Sequence, residues 1–324
     1  MKLHFSGQDN LRNFKQFLST FDTTDSSFLS ISTDKKRIAV HPAYLALSAA
    51  LAIKVGKDNS TITSDTPDGI QYLSQMGLYD FLSTPSPTPS SDTEQSGRYI
   101  PLRIIKTAKE QSAFIADFVP LLHLPEDQSR IVRYVIGELV RNVLEHSCSK
   151  DGAIVTARYY EKSHKVSLAI CDTGIGIWHS MSKIWHPKTD LDAIKLALTP
   201  GISGTTKKEG GTFENAGAGL FYVRSIAKTT RNYFLVYSGK AEYLLYKWDK
   251  RLKLRYTADP FKEEHFATNS APDFPGTLVA LDISLDDTPE FNELLHKIST
   301  TYDEAIRERR RQKFYTPNFE RSNR

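Results

Sequence analysis

The sequence predicts an α+β protein: a mainly antiparallel sheet with helices clustered on one face, preceded by a smaller α/β unit. Three observations predict it. "AIVTARYY" (153–160) and "KVSLAIC" (165–171) are strand-like runs joined by a short polar turn, which is a hairpin signal. Helical stretches near 107–122 and 126–147 precede this hairpin, and "GLFYVRSIAKTT" and a strand meander follow it. Residues 84–97, "TPSPTPSSDTEQSG", alternate proline with Ser and Thr and have nothing to bury, so they read as a linker between two folded parts.

Each element follows from its local pattern. Before the linker (1–83), "SFLSIST" alternates like a strand and "RIAVH" follows as another. "PAYLALSAALAIKVGKD" is an apolar helix with proline at its start, "NSTITS" is a strand, and "TPDGIQYLSQMGLYDFL" is a capped helix with an apolar tail. After the linker (98–288), "GRYIPLRII" opens the sheet. Residues 178–216 read as a long polar segment around one short helix, "DLDAIKLAL". Long loops of this kind in compact domains are usually functional lids. The meander is "NYFLVYS", "AEYLLYKWD" and "LKLRYTA", and "GTLVALDISL" is the last core strand. The tail (289–324) is a helix from Phe291 that ends in the basic run "RERRRQKF", whose cations suit a solvated helix C-terminus.

Composition bounds the function. The 324 residues suffice for two ordinary domains, each with a core of its own. With 40% hydrophobic and 25% charged residues, the chain has the make-up of a soluble globular protein. A net charge of +4 sets nucleic acid aside as a partner. Cys148 and Cys171 make no disulfide framework and read as small buried apolar residues. The longest mainly apolar run, residues 43–53, is too short for a bilayer, which needs roughly 20 residues, and the N-terminus has no apolar leader. The expected location is the cytoplasm, away from any membrane.

The candidate chemistry starts in "GELVRNVLEHS" (137–147). At about 100° per residue, Val132, Val135, Ile136, Leu139 and Val143 form an apolar stripe, and Glu138, Asn142 and His146 form a polar row along its flank. Unpaired buried polar groups cost roughly 1–3 kcal/mol, so the row must meet partners or a ligand cavity. "CDTGIGI" (171–177) then places Asp172 at the end of a core strand. Gly174 and Gly176 follow it, where the backbone can turn and approach a ligand. A carboxylate there can accept from an exocyclic amine such as adenine N6, or simply close an Asx-type turn. "NAGAGLFYV" (215–223) sets Gly217 and Gly219 before a helix whose first N–H groups can hold phosphate.

Together these motifs resemble the Bergerat ATP-binding fold of the gyrase, heat-shock chaperone, histidine kinase and mismatch-repair (GHKL) superfamily, over about residues 120–285. The order is E-x-x-x-N-x-x-x-H on a helix, D-x-G-x-G after a strand, a lid, G-x-G-L before a helix, and G-T opening the last strand. The resemblance implies ATP and Mg²⁺ as cofactors. It makes Glu138 the base that activates water or a hydroxyl, Asn142 the Mg²⁺ ligand, and Asp172 the adenine acceptor. It brings Gly217 and Gly219 to the phosphates and Thr277 to the support of Asp172. His146, Gly174 and Gly176 join the nucleotide site. Lys207 and Lys208 of the lid either meet the γ-phosphate or are solvated.

The polar row is most similar to the anti-sigma-factor serine kinases. The segment 1–83 resembles a STAS domain, read as a docking or regulatory copy, since Pro42 and Ala43 stand where a phosphorylatable Ser would start the helix. The implied function is a Mg-ATP-dependent Ser/Thr protein kinase or ATPase in a partner switch. The alternative is a nucleotide-gated binding module with negligible turnover. The implied partner is a regulatory protein of STAS-like type, and a homodimer of the chain is a separate expectation.

Overall fold

The computed structural model describes residues 1–314 except 8, 34–39, 65–66, 88–97, 205–217, 250, 252–253, 255–256 and 287–289. The N-terminal unit contains β1 (Lys2–Phe5), α1 (Phe14–Thr20), β2 (Leu29–Thr33), α2 (Pro42–Val55), β3 (Ser60–Ser64) and α3 (Pro67–Gln75). Its three strands form a parallel sheet in the order β1-β2-β3. Of the strands expected here, "RIAVH" falls largely outside the described residues. β1 and α1, which were not anticipated, complete the unit.

Then come β4 (Tyr99–Ile105), α4 (Ala108–Phe118), α5 (Glu126–Asn142), β5 (Ala153–Tyr160), β6 (Lys165–Asp172), α6 (Gly176–Ser182), α7 (Asp190–Ala197) and α8 (Gly219–Thr229). β7 (Phe234–Gly239), β8 (Ala241–Leu245), β9 (His265–Thr268), β10 (Phe274–Ser284) and α9 (Phe291–Phe314) follow. The seven strands β4 to β10 form one sheet in the order β4-β5-β6-β10-β7-β8-β9, with every neighbouring pair antiparallel. The last strand therefore runs in the middle, between β6 and β7. "LKLRYTA" falls largely outside the described residues, and β9 takes the place next to β8.

Strand alternation divides the sheet into two faces. Val166, Leu168 and Ile170 of β6 and Val279, Leu281 and Ile283 of β10 face the helices α5, α8 and α9. Helix α9 contributes Leu294, Ile298, Tyr302 and Ile306, one residue per turn, all buried. This is the helix-covered face that the sequence predicts.

The opposite face is covered as well. Ala169, Cys171, Leu235, Tyr237, Leu278 and Ala280 share one core with Phe14, Tyr44, Leu47 and Leu51 of the N-terminal unit. The two units thus do not keep separate cores. The cause lies in the strands, which are apolar at both parities and need cover on both sides. Helix α2 lies between the two sheets, and every residue from Pro42 to Ala52 is buried. It is apolar all round, the mark of a central helix, and presents no free face to a separate protein.

A polar staple fixes this packing. His41 caps α2, its Nδ1 accepting from the Ala43 amide at 3.0 Å. Its Nε2 donates to Asp282 of β10 at 3.2 Å. Asp282 also accepts from Ser167 and, at 2.9 Å, from Lys165. The start of the expected linker belongs to the N-terminal unit too, since Thr84 Oγ1 accepts from the Ile62 amide at 3.0 Å. Cys171 is buried, as expected, whereas Cys148 is exposed in a left-handed turn, contrary to expectation. No helix among the described residues is long and apolar enough to cross a membrane.

Candidate functional site

Helix α5 does not continue as an α-helix to His146. Its last turn, Val143–Ser147, is a π-helix closed by the left-handed Cys148. Such turns re-aim side chains and concentrate at functional sites. The strict four-residue row therefore ends at Asn142, and His146 reaches the same cavity through a wider turn.

The strand end and the helix end are locked together. The Ile175 amide donates to Ser147 O at 2.8 Å. A Cβ on Gly174 would sit 2.1 Å from that same carbonyl, so only glycine permits the approach. The Gly174 amide donates to Asp172 Oδ1 at 2.8 Å. Asp172 continues the parity of Val166, Leu168 and Ile170, so its side chain points to the α5 face. It is 2% exposed. Burial pushes its pKa up to about 7, against the amides of Gly174 and Thr277, which pull it down.

Beside it lies a cavity of about 140 Å³. Asp172, Gly176 and Thr277 line one end, with Ile170 and Val279 as the sheet floor. Leu139, Asn142, Val143 and His146 form the α5 wall. Ile177, Ser180 and Met181 of α6 and the segment 202–204 form the facing wall, and Gly219 and Leu220 of α8 complete the rim. Thr277 is the register partner of Asp172, and its hydroxyl lies 3.2 Å from Ser238 Oγ. Ser238 also accepts from the Ile177 amide at 3.0 Å and donates to Gly276 O at 2.9 Å, which fixes the start of α6.

Helix α8 meets α5 at Gly219. A Cβ there would lie 2.6 Å from Glu138 Oε2 and 3.6 Å from Asn142 Nδ2. The N-cap residue Ala218 offers no side-chain cap to the first amides of α8. The Asn142 side-chain amide makes no hydrogen bond among the described residues. Glu138 is not part of the cavity lining. It stands beside the rim and is paired with Arg141. Burial raises its pKa, and Arg141 opposes that shift. Burial lowers the pKa of His146, which favours a neutral ring.

Of the predicted site residues, Asn142, His146, Asp172, Gly176, Gly219 and Thr277 all line this one cavity. Gly174 braces it from behind, and Glu138 flanks it. Gly217 and the lid residues Lys207 and Lys208 lie outside the described residues. Sequence reasoning missed α6, reading its residues as polar loop, although Ile177 and Met181 sit four apart. It also missed Ser238, for which no local pattern signals a role. Strand parity alone would have found Ile170 and Val279.

The donor set suits a flat, amine-bearing ring with an anionic tail. A buried carboxylate lies at one end of an apolar slot, and an amide oxygen and a helix N-terminus lie at the other. The residues present therefore fit a nucleotide. For Mg²⁺ they offer the Asn142 oxygen. No group of three or more His, Cys, Asp or Glu side chains able to hold a metal occurs among the described residues, so the metal would take most of its ligands from phosphate and water. No protein-family model matches the chain, and no curated protein sequence matches it.

Proposed function

We propose that this protein binds Mg-ATP in the cavity between α5, α6 and the β6–β10 floor, and uses it to regulate a partner protein. The observation that carries the reading is the Asp172 carboxylate, buried in the lining of a mainly apolar cavity. An adenine amine would supply the donor that an ionised Asp172 requires, and the apolar walls would take the ring. The tail would leave toward Asn142 and the N-terminus of α8, where Ala218 provides no side-chain cap and the first backbone amides favour phosphate. The GHKL-like order of motifs, with 98–288 as the ATP-binding part, supports the same placement.

In the kinase or ATPase form of the proposal, Glu138 is the general base, and the partner is a STAS-like regulatory protein. One observation favours the alternative, a nucleotide-gated module without turnover: Glu138 is held by Arg141 and lies outside the cavity lining. The deciding experiment is calorimetry with ATP with and without Mg²⁺, followed by incubation with labelled ATP, scoring label on protein against free phosphate. Binding with neither product supports the module, and no binding at all defeats both forms.

A further inference from the structure

The cavity wall at residues 200–204 is short and is held by two donors from different parts of the chain. Gly201 turns it with φ of +72°. On one side of that turn, the Trp185 indole Nε1 donates to Ser203 O at 2.9 Å. On the other, the Arg309 guanidinium donates to Pro200 O. Arg309 belongs to α9, more than a hundred residues further along. Ile202, which lies between these two bonds, Ser203, which accepts one of them, and the adjoining Gly204 all line the cavity.

Helix α9 reaches the cavity by a second route. Its Tyr302 ring packs 5.9 Å from Phe221 and 5.8 Å from Tyr222, directly after Gly219 and Leu220 at the rim. One face of α9 thus braces both the helix at the rim and the wall opposite α5.

We propose that Arg309 is a positioning residue for the ligand cavity: it holds Pro200, and through it the wall 202–204, in the binding-competent place. The basic end of α9 then has a task beyond solvation. Whatever engages or releases this end of the helix changes the affinity of the cavity. Only the identity of the ligand rests on the nucleotide reading, and the role of Arg309 in the wall does not.

The test uses the full chain and the variants Arg309→Ala, Arg309→Lys and Arg307→Ala, the last on an exposed position of the same helix. Amide hydrogen exchange of Ile202, Ser203 and Gly204 is followed without nucleotide, and Mg-ATP affinity is measured by calorimetry. Arg309→Ala should speed exchange at these three amides and weaken affinity about tenfold, the loss expected for one charged hydrogen bond. Its melting temperature should stay near that of the parent. Arg309→Lys should fall between parent and Ala, and Arg307→Ala should change neither reading. Unchanged exchange in Arg309→Ala, or an equal effect of Arg307→Ala, overturns the proposal. Should Arg309→Ala fail to fold, the same two readings on Arg309→Lys decide. Faster exchange in a protein that binds no ATP upholds the role of Arg309 and removes the nucleotide instead.

Discussion

His41 Nε2 lies 3.2 Å from Asp282 Oδ1, joining the cap of the central helix to the middle strand of the large sheet across 241 residues of chain. Both side chains are 3% exposed. Because Nδ1 accepts from the Ala43 amide, the ring is neutral with its proton on Nε2. Burial lowers the pKa of His41, and the His41, Lys165 and Ser167 partners hold that of Asp282 well below the usual carboxylate range.

His41→Ala should therefore cost about 1.5–3 kcal/mol, the worth of a hydrogen bond to a charged group. Denaturant midpoints at pH 7 check it. The sign with pH is also set. The unfolded chain protonates His41 near 6.5, above the folded value. Its contribution to stability is thus present above that pH and lost as pH falls below it. The variant should lack this part of the acid dependence.

Asp172 has the opposite sign. Its pKa is raised from 3.8 to about 7 by burial, so the stability it contributes is full below pH ~4 and lost as pH rises through 7. Asp172→Asn should melt higher than the parent at pH 8 and show little difference near pH 4. In the same variant ATP affinity should collapse at every pH. In the parent, affinity should rise with pH up to about 7, because an amine donor needs the ionised carboxylate. Calorimetry across pH measures both, and a pH-independent parent affinity removes the adenine assignment.

Asn142 lines the cavity with its side-chain amide next to Gly219. Asn142→Ala should weaken ATP binding far more with Mg²⁺ than with a chelator present. An equal loss under both conditions marks a structural role instead.

Glu138 flanks the cavity rather than lining it. Glu138→Ala should leave ATP binding unchanged or slightly tighter, since carboxylate and phosphate repel. Phosphate release or transfer, if the parent shows any, should fall by ~10²–10⁴, the usual worth of a general base. Joint loss of binding and turnover would make Glu138 an organiser of the site.

Two glycines should behave differently on becoming alanine. At Gly174 the new Cβ meets the Ser147 backbone carbonyl, which cannot yield without moving the helix end. The cost should be about 1–3 kcal/mol or more. At Gly219 it meets the tip of Glu138, a flexible side chain that can turn away. Gly219→Ala should keep its melting temperature while changing nucleotide affinity.

Much of this molecule is legible in the residues themselves. Local patterns predicted the β5–β6 hairpin, the apolar helix α2, the long α5 and β10 as the last core strand, because alternation, helical periodicity and proline at a helix start act over a few residues. They also singled out Asn142, Asp172 and Gly219, and the GHKL resemblance added Thr277; the four lie far apart in sequence and line one cavity. The tertiary structure alone decided the rest. The N-terminal unit covers the second sheet face because strands apolar at both parities must be covered on both sides, which no single strand can announce. The π-turn at Val143–Ser147 lies where the helix end is tied to the turn after Asp172, and a helical periodicity reads straight through such a place. Ser238 and Arg309 act through bonds to Gly276 and Pro200, partners set by how distant segments pack, so their own neighbours in the chain carry no sign of it.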